Sequence, residues 1–177
     1  MSTHDEKIEI AVDDGHIAGT LITPGTLVPG VLFVHGWGGS QDKYIARARD
    51  VAALGCVCLT FDLRGHALTR GQYETVSRAI NLRDVLAAYD TLVARPHVDS
   101  SAIAVVGSSY GGYLASILTT MRPVRWLALR APALYMDSGW ELPKLQLAKA
   151  QDLPNWRRTL VRADDNSITG PDSLTGK

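Results

Sequence analysis

Gly107-Ser108-Ser109-Tyr110-Gly111-Gly112 lies between two apolar runs of different character. Before it, Ala102-Ile103-Ala104-Val105-Val106 is short and continuous, the pattern of a strand buried on both faces. After it, Tyr113-Leu114-Ala115-Ser116-Ile117-Leu118 reads as a helix. Ser109 therefore stands at the tip of an abrupt strand-to-helix turn, inside the pattern Gly-x-Ser-x-Gly. The glycines have a steric reason: strand and helix backbones meet closely at such a turn, and side chains at Gly107 and Gly111 would collide there. The serine is expected in a strained backbone conformation held by its surroundings. Two other readings of the same turn stay open: a packing solution, and a helix N-terminus that binds an anion.

Working outward, residues 7–12 alternate polar and apolar, and Asp13-Asp14-Gly15 turns the chain into a returning strand at 16–23. This predicts an N-terminal β-hairpin. Val31-Leu32-Phe33-Val34 is a second buried strand, ending in His35-Gly36-Trp37-Gly38-Gly39-Ser40. Residues 42–54 place Tyr44, Ala48, Val51 and Leu54 at helical spacing, with Gly55 as the C-terminal cap. A strand at 56–61 closes in Asp62-Leu63-Arg64-Gly65-His66. The spacing predicts a long helix over 76–94, with Leu82, Val85, Leu86, Tyr89 and Val93 as its apolar stripe and Pro96 as its stop. A further buried strand is expected over 124–129. This alternation gives the fold class α/β, a mainly parallel sheet with helices on both faces.

After Pro132 the strand grammar stops. The expected organisation is a core over 1–135, an insertion or partial cap over 136–163 and a disordered tail over 164–177. Trp140 and Trp156 would belong to the cap or cover core, and a short helix is expected over 144–150.

The chain has 177 residues, 46% hydrophobic and 20% charged, with 18 Lys plus Arg against 18 Asp plus Glu. That balance leaves no electrostatic footprint for nucleic acid or an anionic membrane. The polar N-terminus lacks the apolar segment of a signal peptide, and no apolar run approaches the ~18 residues of a membrane span. The expected home is the cytoplasm. Cys56 and Cys58 lie two apart in one apparent strand, poorly placed for a disulfide and without neighbouring metal ligands. They read as small buried apolar residues. No spacing implies a metal or an organic cofactor.

Taken in order, the loop at His35 to Ser40, the loop at Asp62 to His66 and the turn at Ser109 resemble the alpha/beta-hydrolase superfamily in its serine-hydrolase branch, over roughly residues 8–135. Members similar to dienelactone hydrolases and serine aminopeptidases carry such loops. The resemblance implies Ser109 as nucleophile, with the backbone N–H groups of Tyr110 and Trp37 as an oxyanion hole. Gly107, Gly111, Gly36 and His35 would be structural at that site. The chemistry is sensible, since losing one oxyanion donor typically costs about 2.7–4 kcal/mol of transition-state stabilisation.

The resemblance also implies an acid and then a histidine after Ser109. The five histidines, His4, His16, His35, His66 and His97, all precede it. His66 reads as non-catalytic, His97 as an exposed loop residue, and Asp62 as bracing its own loop. Asp137 could be an acid but has no histidine to orient. The catalytic base and acid are thus unassigned, and the last two core strands are absent from the pattern. The chain is expected to be C-terminally incomplete and inactive alone. The expected function is hydrolysis of carboxylic esters or related acyl compounds through an acyl-enzyme on Ser109, with a small-molecule acyl substrate. The alternatives are a non-catalytic binding module, or a peptidase or acyltransferase. A strand at 124–129 left as the sheet edge also predicts self-association through it.

Overall fold

The computed structural model describes residues 4–13, 15–23 and 28–133. The expected cap, its short helix, the tail, Asp137, Trp140 and Trp156 lie outside the described residues.

β1 (His4–Val12) and β2 (Gly15–Thr23) form the expected antiparallel hairpin. β2 pairs antiparallel with β4 (Val57–Phe61). β3 (Val28–Val34) runs parallel between β4 and β5 (Val98–Ser108), and β6 (Trp126–Arg130) runs parallel to β5. The sheet order is β1-β2-β4-β3-β5-β6. The crossovers are α1 (Asp42–Ala53), α2 (Arg78–Val93) and α3 (Tyr110–Leu118).

Alternation along β3 divides the core between the two faces. Val31 and Phe33 pack with Ile22, Cys58, Tyr44, Ala48 and Ala52 on the α1 side. Leu32 and Val34 join Leu59, Phe61, Ile103, Val105 and the buried faces of α2 and α3 on the other. The Val, Leu, Ile and Phe side chains among them contribute roughly 1.5–3 kcal/mol each when fully buried. Both cysteines are free, Cys58 buried and Cys56 half-buried against the same cluster. Among the described residues no helix is long and apolar enough to cross a membrane.

Five boundaries or faces differ from the sequence reading. Leu54 is exposed, because it caps α1 and Gly55, at φ +101, turns the chain away; Ala52 fills the core position instead. α2 starts at Arg78, where the Ser77 side chain accepts from the Ile80 N–H. Of its expected stripe Val85 and Tyr89 are buried, whereas Leu82, Leu86 and Val93 are only half-buried and Asn81, Asp84, Ala88 and Leu92 complete the buried face. β5 begins at Val98, since Val98 and Asp99 pair with Val28 and Pro29 before the register shifts at Gly30. The strand expected buried over 124–129 is found at Trp126–Arg130 and exposed throughout. It is the sheet edge among the described residues, presenting Trp126, Leu127 and Leu129.

Candidate active site

β5 ends at Ser108 and α3 begins at Tyr110, leaving Ser109 alone in the turn with φ 52 and ψ −122. That backbone region costs a non-glycine residue about 1–3 kcal/mol, so neighbouring structure must hold it. Four hydrogen bonds do. The Ser109 N–H donates to Arg130 O at 3.0 Å, and its carbonyl accepts from Gly112, Tyr113 and Ala133 at 2.9, 3.1 and 3.0 Å. Ser109 itself is exposed, between buried Ser108 and buried Tyr110.

The glycines are required by close approach. A Cβ on Gly107 would lie 2.6 Å from Gly112 Cα, and one on Gly111 would lie 2.3 Å from His35 O. A Cβ on Gly36 would stand 3.0 Å from Ser108 O and 3.1 Å from Ser109 Cβ. The loop after β3 is therefore seated directly on the serine turn, and Trp37 follows the residue that touches it.

His35 is buried, with Nδ1 at 2.8 Å from Gly36 O and Nε2 at 3.0 Å from Leu63 N. A carbonyl can only accept and an amide only donate, so the network assigns the neutral Nδ1–H tautomer. His66 repeats the arrangement: Nε2 accepts from Gly38 N–H at 3.0 Å, and Nδ1 donates to Arg64 O at 3.2 Å. Burial lowers both pKa values, that of His66 to about 4. Both rings serve as neutral struts between the two loops. Asp62 braces a neighbouring loop rather than its own, accepting from Gln41 N–H at 2.8 Å and Gln41 Nε2 at 2.9 Å. The Gln41 carbonyl oxygen in turn accepts from Thr20 and Thr60.

The sign of the acid response follows. In the unfolded chain these histidines titrate near 6.5, whereas the folded state keeps them neutral to lower pH. Between those values the unfolded state binds more protons, so stability is full above about 6.5 and falls as pH is lowered toward 4. Urea midpoints measured across that range should decline, and His66→Gln should flatten part of the decline.

A second buried network was missed by the sequence reading. Arg64 Nε lies 2.6 Å from Asp84 Oδ1, and the Arg64 N–H donates to Asp84 Oδ2 at 2.8 Å. Asn81 Nδ2 donates to Arg64 O and to Asp84 Oδ2, and Tyr110 Oη donates to Asn81 Oδ1 at 3.3 Å. Burial pushes the Asp84 carboxyl above the usual carboxylate range, while the Arg64 contacts pull it back. Trp37 sits among His66, Tyr73 and Tyr110, with ring centroids at 4.8, 4.8 and 5.5 Å.

The structure thus gathers Ser109, Tyr110, Trp37, Gly36, Gly107, Gly111, His35 and His66. It does not bring in His97, which is exposed and precedes β5, at the opposite end of the strand from Ser109. Among the described residues no group of three or more His, Cys, Asp or Glu is arranged to hold a metal ion.

A family model described as "Alpha/beta hydrolase family" matches residues 31–174. The chain belongs to the alpha/beta hydrolase family. Palmitoyl-protein thioesterase ABHD10, mitochondrial, of Homo sapiens and that of Pongo abelii are each 30% identical over 112 residues, 62% of this chain and 35% of the relative. The match therefore spans about a third of the length of these curated relatives. Among solved structures, a dienelactone hydrolase-like promiscuous phosphotriesterase from metagenomic libraries is similar at TM-score 0.66 and 25% identity, over 78% of this chain and 63% of that one. Dienelactone hydrolase from Anabaena variabilis shares the fold at TM-score 0.61 and 22% identity, over 73% of this chain and 64% of that one.

Proposed function

We propose that Ser109 is the nucleophile of a serine hydrolase that cleaves carboxylic esters or related acyl compounds, acting in the cytoplasm. The observation that carries this is the held, strained conformation of Ser109 at a glycine-walled turn, with Gly36 packed against it. Its Oγ attacks the acyl carbon, the carbonyl oxygen becomes an oxyanion, and the ester C–O bond then breaks so that the alcohol leaves carrying the serine proton. Water hydrolyses the acyl-enzyme, releasing the acid and restoring the Ser109 hydroxyl. The Trp37 and Tyr110 N–H groups are the oxyanion donors. Trp37 N–H makes no hydrogen bond among the described residues, and Tyr110 N–H opens α3 at the positive end of its dipole. The Gly36 carbonyl accepts from Gly39 N–H and His35 Nδ1–H. Because the peptide is planar and trans, pinning that carbonyl aims the Trp37 N–H the opposite way. A thioester, the bond in the name of the curated relatives, is one related acyl compound that this chemistry accommodates.

A non-catalytic binding module is the second reading. It is favoured by His35 and His66, whose ring nitrogens are all engaged and leave neither free to take the Ser109 proton. An active-serine fluorophosphonate probe separates the two. Labelling of the full chain that is abolished by Ser109→Ala supports the hydrolase; no labelling above that of Ser109→Ala overturns it.

A further inference from the structure

Between Gly36 and Gly39 only Trp37 has a side chain, so the loop that carries the Trp37 N–H has little conformational preference of its own. That N–H belongs to the Gly36–Trp37 peptide and points opposite to the Gly36 carbonyl. Whatever holds this carbonyl therefore aims the donor. Among the described residues the Gly39 N–H holds it at 3.0 Å, from within the loop, and His35 Nδ1 holds it at 2.8 Å. The three groups are close-packed: a Cβ on Gly39 would stand 2.9 Å from Gly36 O and 3.3 Å from His35 Nδ1. A single bond closing a glycine-rich turn competes poorly with water, whereas the His35 ring is buried and bonded at both ends.

Whether Nδ1 attracts or repels the carbonyl depends on the tautomer, and the loop after β4 decides that. The Leu63 N–H donates to Nε2 at 3.0 Å, so Nε2 keeps its lone pair and Nδ1 carries the proton. Asp62 Oδ1 is 3.9 Å from Nε2, beyond hydrogen-bond reach, and does not draw the proton to that side. In the other tautomer Nε2–H would face the Leu63 N–H, donor against donor. The bare Nδ1 would then face Gly36 O, acceptor against acceptor. We propose that His35 is a positioning residue for the Trp37 donor, with the Leu63 N–H setting the tautomer in which the ring holds Gly36 O. The loop after β4 thus governs the direction of an N–H in the loop after β3. This rests on the serine-hydrolase reading. His35 acts through the backbone and takes no proton from Ser109.

The test compares the full chain with His35→Asn, which places an N–H donor where Nδ1 stands and nothing at Nε2. His35→Gln does the reverse, reaching the Leu63 N–H with an acceptor and leaving nothing at Nδ1. The phosphonate labelling rate at Ser109 is expected to fall roughly ten- to hundredfold in His35→Gln, the larger figure approaching the cost of a donor lost outright, and to recover most of the way in His35→Asn. A ring that only bridged the two loops would give the opposite order. The direction of the Trp37 N–H is read separately, from its 1H–15N residual dipolar coupling in weakly aligned protein. That coupling should match wild type in His35→Asn and differ in His35→Gln. Undiminished labelling in His35→Gln, or a His35→Asn no faster than His35→Gln, overturns the proposal. If the variants do not fold, the wild-type chain decides, through the 15N–13C coupling across the His35 Nδ1–H to Gly36 carbonyl bond; its absence, or a protonated Nε2, overturns the assignment. If the wild-type serine is not labelled at all, the hydrolase reading fails separately. The dipolar couplings then stand alone, and equal Trp37 couplings in wild type and His35→Gln overturn the positioning role.

Discussion

Asp84→Ala lowers the free energy of unfolding by about 3–5 kcal/mol, the usual consequence of removing one partner from a buried ion pair. The side chains of Arg64 and Asp84 are 6% and 0% exposed, so the guanidinium left behind cannot recover its charge partner from water. Asp13, at 3.6 Å from Arg64 Nη2, is half-exposed and too well solvated to replace it. The loss has a second component, because the Arg64 N–H and one Asn81 donor also lose their acceptor. Chemical denaturation measures it, and a loss below about 1 kcal/mol would show that the pair is replaceable. Removing both charges together behaves differently. Arg64→Met with Asp84→Leu leaves no buried charge and should recover much of the deficit, since apolar replacements of such pairs are often neutral. The network reaches Tyr110 through Asn81, so Asp84→Ala is also expected to slow phosphonate labelling of Ser109 in the fraction that remains folded.

That network marks where sequence reasoning stops. The turn at Ser109 was legible because its rule is local: a buried strand, a helix and glycines at the two points of collision are all written within a dozen residues. The order of the loops at His35 and Asp62 was legible for a similar reason, as each closes an apolar run. Asn81 and Asp84 were not. Polar residues on a helix normally face solvent, and Leu82, Val85, Leu86, Tyr89 and Val93 offered an adequate apolar stripe without them. What turns Asn81 and Asp84 inward is Arg64, seventeen residues before Asn81, whose N–H and guanidinium need acceptors and whose carbonyl needs a donor once its loop is buried. An arginine in a glycine-closed loop after a fully buried strand was the only available signal. Gln41 escaped for the same reason: its amide satisfies Asp62, Thr20 and Thr60, each contributed by a different element. Side chains that join distant loops leave no periodicity behind.

Gly111→Ala is expected to cost about 3 kcal/mol, the upper end of the overpacking range, and to abolish labelling of Ser109 at the same time. Helix propensity argues the other way, since alanine in α3 would be worth up to about 1 kcal/mol over glycine. Sterics decide it. The new methyl would stand 2.3 Å from His35 O and 2.4 Å from Val34 O, and both are backbone atoms rather than side-chain ends that can swing aside. Relief requires α3 to withdraw from β3 or the loop at His35 to lift. Either movement separates Tyr110 from Trp37, so the fold and the oxyanion donors are damaged by one displacement. Gly71→Ala is the matched control: a Cβ there meets nothing within 4 Å, and the change should stay within about 0.5 kcal/mol. Gly112→Ala lies between, with Pro132 Cβ at 3.0 Å. Denaturation midpoints ranked Gly71→Ala, Gly112→Ala, Gly111→Ala would show that the serine turn is held by backbone contact, and a Gly111→Ala protein as stable as wild type would show that β3 and α3 can part without cost.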